Sequence, residues 1–263
     1  MALSFALIDA FASRPFTGNA AAVCLLSEPR DEAWMQAVAT EMAQSETAFV
    51  CARGDGTFDL RWFTPTVEED LCGHATLATA HALWSWGVLD HAALACFHTR
   101  SGFLTARPSA GGIELDFPTE RAAPVPAPPG LIEGLLVQPR WVGRNRLDFL
   151  VEVGSETEVR GLAPDFRILA SVSCRGIIVT ARGVAPFDFV SRYFSPREAI
   201  PEDPATGSAH CCLGAFWEDR VGRLWMRGFQ ASQRGGIVEL RVDGARTILR
   251  GQAVTILSGE LHI

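Results

Sequence analysis

Arg61-Trp62-Phe63-Thr64-Pro65 is answered later in the chain by Arg192-Tyr193-Phe194-Ser195-Pro196. Each block leads into an acidic stretch, a glycine and an alanine-rich run. The first copy continues as Glu69-Asp70-Leu71-Cys72-Gly73-His74-Ala75, the second as Glu202-Asp203-Pro204-Ala205-Thr206-Gly207-Ser208-Ala209. The copies lie 131 residues apart at the first block and 134 apart from Gly73 to Gly207, in a chain of 263. A period of half the chain is far from the ~20–50 residues of a solenoid repeat. It predicts two related lobes, each offering one strand–loop–helix unit to a shared cleft, a preferred place for a small-molecule site.

The flanking sequence fits that plan. Leu3–Phe11 alternates like a strand, and Pro15-Phe16-Thr17-Gly18-Asn19 is a turn before a small-residue apolar run to Leu26. Asp31 reads as the N-cap of an amphipathic helix to about Ala43, with Trp34, Val38 and Met42 on one face. Strands are expected at 47–51, 57–63, 94–99, 102–107 and 112–117, and a buried helix at Ala75–Trp86 stopped by Gly87. In the second half, strands are expected near 137–143, 147–153, 176–181, 187–194, 227–231, 236–242 and 246–257. Helices are expected around 163–170 and at Ser208–Trp217. Short strands with one long helix per lobe predict an α+β fold: two pseudo-symmetric lobes, each a mixed or antiparallel sheet around a central helix. The expected division is 1–118 for the N-terminal lobe, 119–130 for a Pro-rich linker and 131–263 for the C-terminal lobe, with a strand near 255–263 able to rejoin the first lobe.

Composition narrows the function. The net charge of −7 argues against non-specific nucleic-acid binding, which needs a basic footprint. No apolar run approaches the ~20 residues that span a bilayer. Met1–Asp9 lacks a basic segment and meets an acid too early for a secretory signal, so a cytoplasmic location is expected. Seven scattered cysteines without a Cys-x-x-Cys pair read as reduced thiols. All 23 basic residues are arginine, and the absence of lysine excludes a pyridoxal-phosphate Schiff base, an imine aldolase and a Walker A site. No Gly-x-Gly-x-x-Gly follows a strand, so a dinucleotide fingerprint is lacking.

The candidate chemistry clusters at the repeat. Gly73 and Gly207 read either as close-packing glycines or as openers of helices whose free N–H groups bind an anion. Asp203 reads as a helix-dipole carboxylate or as an acid/base. His74 and Ser208 hold matched positions, and a histidine there suits proton transfer, with the helix N-terminus favouring its neutral form. Glu46 of Ser45-Glu46-Thr47 falls between a helix end and an apolar strand; burial would raise its pKa and suit it to general base work. Cys72, matched by Thr206, is a possible thiol acid/base. A metal site across Cys72, His74, His210 and Cys211 is conceivable, but no recognised ligand spacing supports it, so no metal is expected.

The set Asp9-Ala10-Phe11, Pro15–Asn19, Gln44–Phe49, Arg61–Pro65, Leu71–Thr76, Glu202–Ala209 and Gln230–Gly235 resembles the PhzF family, the phenazine-biosynthesis-like isomerases related to diaminopimelate epimerase and proline racemase. These matches run in family order over nearly the whole chain. The resemblance implies a pseudo-symmetric fold with barrel-like sheets, a dimeric enzyme that needs neither metal nor cofactor, and a small anionic substrate. By motif it implies Glu46 as the catalytic acid/base, His74, Asp203 and Ser208 as polar partners, and Ser45, Gly73 and Gly207 as residues shaping the site. In the phenazine enzyme, trans-2,3-dihydro-3-hydroxyanthranilate is isomerised by moving a proton between ring carbons. The related epimerases use two cysteines. This chain has Glu46, and Pro204-Ala205-Thr206 stands where the second thiol loop would be. The readings carried forward are a cofactor-independent proton-transfer isomerase, an epimerase or racemase using Cys72, and a binding protein without turnover.

Overall fold

A computed structural model describes residues 2–198 and 200–262. In chain order the first half forms β1 (Ala2–Ala10), β2 (Asn19–Leu26), α1 (Glu32–Met42), β3 (Glu46–Ala52), β4 (Phe58–Phe63), β5 (Glu68–Glu69), α2 (Gly73–Ser85), β6 (Ala95–Thr99), β7 (Gly102–Ser109) and β8 (Gly112–Pro118). The second half forms β9 (Ala123–Pro124), α3 (Leu131–Leu135), β10 (Trp141–Arg144), β11 (Asp148–Glu152), α4 (Glu156–Arg160), α5 (Phe166–Leu169), β12 (Gly176–Arg182) and β13 (Phe189–Ser195). It continues with β14 (Ile200–Asp203), α6 (Gly207–Val221), β15 (Met226–Gln230), β16 (Gly236–Asp243), β17 (Arg246–Gly251) and β18 (Ala253–His262). Two compact units emerge: Met1–Asp116 with Arg250–Ile263, and Phe117–Leu249.

In the first unit β18 and β2 flank β1, both antiparallel to it. The sheet continues β2–β3 parallel, β3–β4 antiparallel, β4–β6 parallel, and then β7 and β8 antiparallel, with the short β5 beside β4. Helix α2 packs on β1, β2, β3, β7 and β18, so this sheet curves around it. The sequence explains the burial. Ala75, Leu77, Ala78, Ala80, Ala82 and Leu83 are all fully buried, and a helix apolar on every side needs cover on every side. The two threonines in that run bond back into the helix, Thr76 Oγ1 to Cys72 O (2.5 Å) and Thr79 Oγ1 to Ala75 O (2.7 Å), which removes the cost of burying their hydroxyls. Outside the sheet, Asp31 accepts from the Trp34 N–H (2.7 Å) and caps α1. Trp34, Val38 and Met42 then pack against Phe49 and Phe63 in a second core.

The second unit repeats the scheme. β11–β12 are parallel, β12–β13 antiparallel, β13–β15 parallel and β15–β16 antiparallel, with the short β14 beside β13. α6 lies against β15 and β16 and buries Ala209, Cys211, Cys212, Leu213 and Trp217. A separate core of Phe149, Val151, Ile177, Val179, Val190 and Phe194 sits under α3, α4 and α5. At roughly 1.5–3 kcal/mol per buried large apolar side chain, these cores are the main source of each unit's stability.

The fold is α+β, and it departs from the sequence reading at several points. The Pro-rich stretch carries β9, which pairs with β10, and belongs to the second unit. The strand expected over 246–257 is divided between Gly251 and Ala253, so that β18 pairs with β1. The helix expected around 163–170 is only Phe166–Leu169, and α3 and α4 had no sequence signal strong enough to be read. Among the described residues, no helix is long and apolar enough to cross a membrane.

Candidate active site

The first unit's polar centre forms where β2, β3 and α2 begin. Gly18 adopts φ +66°, and a Cβ there would meet Ala10 O at 2.1 Å, so only glycine closes the turn that delivers Asn19 to the head of β2. Ser45 and Glu46 follow the left-handed cap of α1 and open β3. His74 enters from the first turn of α2, whose N-cap residue Cys72 makes no side-chain cap hydrogen bond.

His74 is 4% exposed and both ring nitrogens are engaged. Its Nε2 lies 3.0 Å from Glu46 Oε2 and 3.3 Å from Ser45 Oγ. Its Nδ1 lies 3.2 Å from Asn19 Nδ2 and 3.5 Å from Cys72 Sγ. An amide can turn either end towards a ring nitrogen, so Asn19 suits a neutral or a charged imidazole. Ser45 Oγ in turn lies 3.0 Å from both Asn19 Oδ1 and Ala20 O. The Glu46–His74 contact is one of charge without hydrogen-bond alignment. Among the described residues, Glu46 Oε2 is buried with no hydrogen-bond partner.

The electrostatics reverse two sequence expectations. Burial alone would raise the Glu46 pKa, but the charge of His74, with a hydrogen bond from Ser45, holds the carboxyl below its usual range. Burial likewise pushes His74 down, and the Cys72 contact and the Glu46 charge carry it well above the ordinary imidazole value. The helix N-terminus therefore does not impose the neutral form. Cys72 is itself pushed up to about 11 by burial and by Glu46, so it stays a thiol near neutrality and the carboxylate is the partner that charges His74.

Glu46, Cys72 and His74 bring possible ligand atoms within 4.8 Å of one another. They do not make a good cation site: Glu46 faces Nε2 and Cys72 faces Nδ1, and one ion cannot occupy both ring nitrogens.

The second unit has its own polar centre. Asp203, 9% exposed, ends β14 and accepts a short hydrogen bond from Thr206 Oγ1. Gln230, fully buried at the end of β15, clamps this loop. Its Nε2 donates to Asp203 O (2.6 Å) and Thr206 Oγ1 (3.1 Å), and its Oε1 accepts from Thr206 N–H (2.9 Å). His210 is held near 4 by burial and sits 2.8 Å from Thr206 O through Nδ1, fixing the first turn of α6. Ser208, in that turn, accepts from Arg175 Nη2 (3.0 Å). Arg175 is gripped by Asp148, which is 1% exposed and takes Nε at 3.0 Å and Nη2 at 2.6 Å. Tyr193 donates to the same carboxylate at 3.1 Å.

Ser45, Glu46, Cys72 and His74 thus come together around one ring, with Gly73 opening the same helix. Asp203 and Thr206 meet around Gln230, while Ser208, one residue after Gly207, joins Arg175 instead. Sequence reasoning assigned no role to Asn19, Asp148, Arg175, Tyr193 or Gln230. Asn19 and Gln230 did carry a signal, since each borders a motif; Arg175 and Asp148 carried none that is local.

A family model described as "Phenazine biosynthesis-like protein" matches residues 8–134 and 135–259. An uncharacterized isomerase of Halalkalibacterium halodurans is 48% identical over 260 residues, covering 97% of each chain, and one of Pseudomonas aeruginosa is 46% identical over the full length of both. Among solved structures, a PhzF-family phenazine biosynthesis protein of Enterococcus faecalis superposes with a TM-score of 0.94 at 37% identity, covering 100% of both chains. Matched end to end by the family model and by relatives of near-equal length, the chain belongs to the PhzC-PhzF family of phenazine biosynthesis-like proteins.

Proposed function

We propose that this protein is an isomerase that moves a proton between carbon positions of a small carboxylate-bearing substrate, without a cofactor. The observation that carries the reading is the buried Glu46–His74 couple, with a carboxylate oxygen 3.0 Å from the imidazole and, among the described residues, no hydrogen-bond partner of its own. A carboxylate so placed is desolvated, which strengthens it as a base once a substrate displaces the ring contact. Glu46 takes the proton from an acidified carbon and returns it elsewhere. His74 balances the charge as it comes and goes, and Ser45 and Asn19 hold the ring. The first-turn N–H groups after Gly73 and Gly207, together with Asp203, Thr206 and Ser208, are assigned to binding the substrate. The names of the relatives support the reaction class, since both bacterial relatives are called isomerases. A homodimer, as the family resemblance implies, belongs to the same reading.

The second reading, an epimerase using Cys72, has one observation in its favour: the thiol lies 3.5 Å from His74 Nδ1. Against it, the thiol is pushed up to about 11, so little thiolate is present near neutrality to act as a base.

The test is hydrogen exchange in D₂O with trans-2,3-dihydro-3-hydroxyanthranilate and a panel of small amino and hydroxy acids. Deuterium entering at carbon with the wild type, and lost in Glu46→Gln, is expected. Exchange that survives in Glu46→Gln and vanishes in Cys72→Ala would transfer the role to the thiol. A compound that binds tightly and never exchanges would favour a binding protein.

A further inference from the structure

Strand register matches the two units residue by residue. Thr47 pairs with Phe63 across β3–β4, and Ile177 pairs with Phe194 across β12–β13. Phe63 and Phe194 are matched by the repeat, so Thr47 corresponds to Ile177, Glu46 to Gly176 and Ser45 to Arg175. On the same count Phe49, Cys51, Asp59 and Arg61 correspond to Val179, Ala181, Val190 and Arg192. In the second unit Val179, Ala181 and Val190 are fully buried in the core under α3, α4 and α5. In the first unit the matching face is not filled: Phe49, Cys51, Asp59 and Arg61 line a cavity of about 340 Å³. That lies within the roughly 300–1,000 Å³ of small-molecule sites.

The floor of this cavity is apolar. Phe49 and Cys51 of β3, Leu26 of β2 and Met35 of α1 line it, none more than 7% exposed. Strand alternation puts Phe49 and Cys51 on the face of β3 opposite Glu46. The cavity therefore opens on the α1 side of the sheet and shares no residue with the Glu46–His74 centre on the α2 side. Its more exposed lining carries Arg30, Arg61 and Arg100. Two of these are already engaged: Arg61 and Arg100 are held by Glu32 and Glu68, just as Asp59 is held by Arg53. Arg30 differs. Its guanidinium lies 5.6 Å from the Trp34 ring centroid, and it meets Glu28 at 3.4 Å without hydrogen-bond alignment. The Glu28 carboxylate is itself 61% exposed, so solvent screens that contact. Among the described residues the Arg30 side chain makes no hydrogen bond, which leaves its five N–H donors for a ligand. An apolar floor beneath a free guanidinium suits a molecule with an apolar body and an anionic head.

We infer that this cavity between α1 and the β3–β4 ladder is a second binding site, for a small amphipathic carboxylate. The apolar chain or ring lies among Leu26, Met35, Phe49 and Cys51, and the carboxylate lies on Arg30. The site stands apart from the Glu46–His74 centre, and the inference does not rest on the isomerase reading.

The experiment is calorimetric titration of the full chain with octanoate and 3-phenylpropanoate, each beside its primary amide. Saturable one-to-one binding of at least one carboxylate is expected, tighter than its amide by roughly two- to fivefold, the range of a partly exposed ion pair. Arg30→Gln should erase that preference and leave the amide affinity unchanged. Cys51→Phe fills the floor and should weaken acid and amide alike by roughly 10-fold or more, the scale of one displaced apolar group. Circular dichroism and the thermal midpoint report whether that variant is folded. If it is not, Cys51→Met places a slimmer side chain in the same space and should weaken both compounds in the same direction. Absence of saturable binding by either carboxylate would overturn the inference. So would an amide bound as tightly as its acid, or a preference that survives Arg30→Gln. Binding indifferent to the folded cavity-filling variant would belong elsewhere on the molecule, and would overturn it as well.

Discussion

The two units share a buttress and differ at the slots beside it. In the first, Arg61 donates to Glu68 through Nε and Nη2, both at 2.6 Å, and its guanidinium lies 5.2 Å from the Phe63 ring centroid. In the second, Arg192 donates to Glu202 at 2.7 and 2.8 Å and lies 4.9 Å from the Phe194 ring. A two-pronged ion pair stacked on a ring fixes the short β5 and β14 hairpins, and with them the loops that enter α2 and α6. Both halves need that support, so the Arg-x-Phe pattern is the part of the repeat the eye catches. At the neighbouring positions the first unit has Ser45, Glu46, Cys72 and His74, and the second has Arg175, Gly176, Thr206 and Ser208. One side places a carboxylate against an imidazole; the other has no side chain where the carboxylate would be and a cation one residue earlier. Symmetry in the frame leaves the chemistry free to differ.

The sharpest way to break this comparison is to remove the acid/base from one side only. Glu46→Gln should reduce proton exchange by about 10²–10⁴-fold, the usual range for a single general base, while circular dichroism and the thermal midpoint report an intact fold. A smaller loss would mean that the two sides are not chemically divided in this way.

The opposite slot can be probed by filling it. Gly176→Ala should destabilise the second unit by roughly 1–3 kcal/mol in urea unfolding, because the new methyl overlaps the Tyr193 hydroxyl. Combining it with Tyr193→Phe should recover part of that loss. Wild-type stability in the single variant would show that Gly176 is not the reason Tyr193 reaches Asp148.

The smallest effect is in pH. His74 is held above its ordinary value of about 6.5, so its contribution to stability is complete below that pH and declines as pH rises through the folded value. Glu46 is held below its ordinary value of about 4.3, so its contribution is complete above that pH and declines as pH falls through the folded value. The difference in thermal midpoint between wild type and Glu46→Gln should therefore be largest between about pH 4.3 and 6.5 and shrink on either side. A difference that does not vary with pH would separate the two groups electrostatically.

Much of the frame was legible before any coordinates. The alternation of β1, β3 and β4, the Asp31 cap, the alanine-rich helices and the repeated Arg-x-Phe blocks are local patterns with periods of about 2 or 3.6 residues, which local sterics and burial impose directly. Short helices such as α3 and α4 have too few turns for a period to show. The division at Gly251–Ala253 arises because β18 follows β1 rather than continuing β17.

The site was legible as a list of residues and not as an arrangement. Glu46 and His74 stood out by position, but that they form a charge pair across 3.0 Å depends on β3 and α2 starting side by side. Burial alone pointed to a raised Glu46 and the helix end to a neutral His74; the contact reversed both, because at that distance a partner's charge outweighs desolvation. Arg175, Asp148 and Tyr193 come from three different strands or strand ends, and only sheet register brings them to Ser208. The sequence by itself determined the repeat, the element types and the inventory of acid, base and amide groups, since these follow from short-range order along the chain. The tertiary structure alone decided which of them meet, with what charge and in which donor sense, since those properties depend on distance through space.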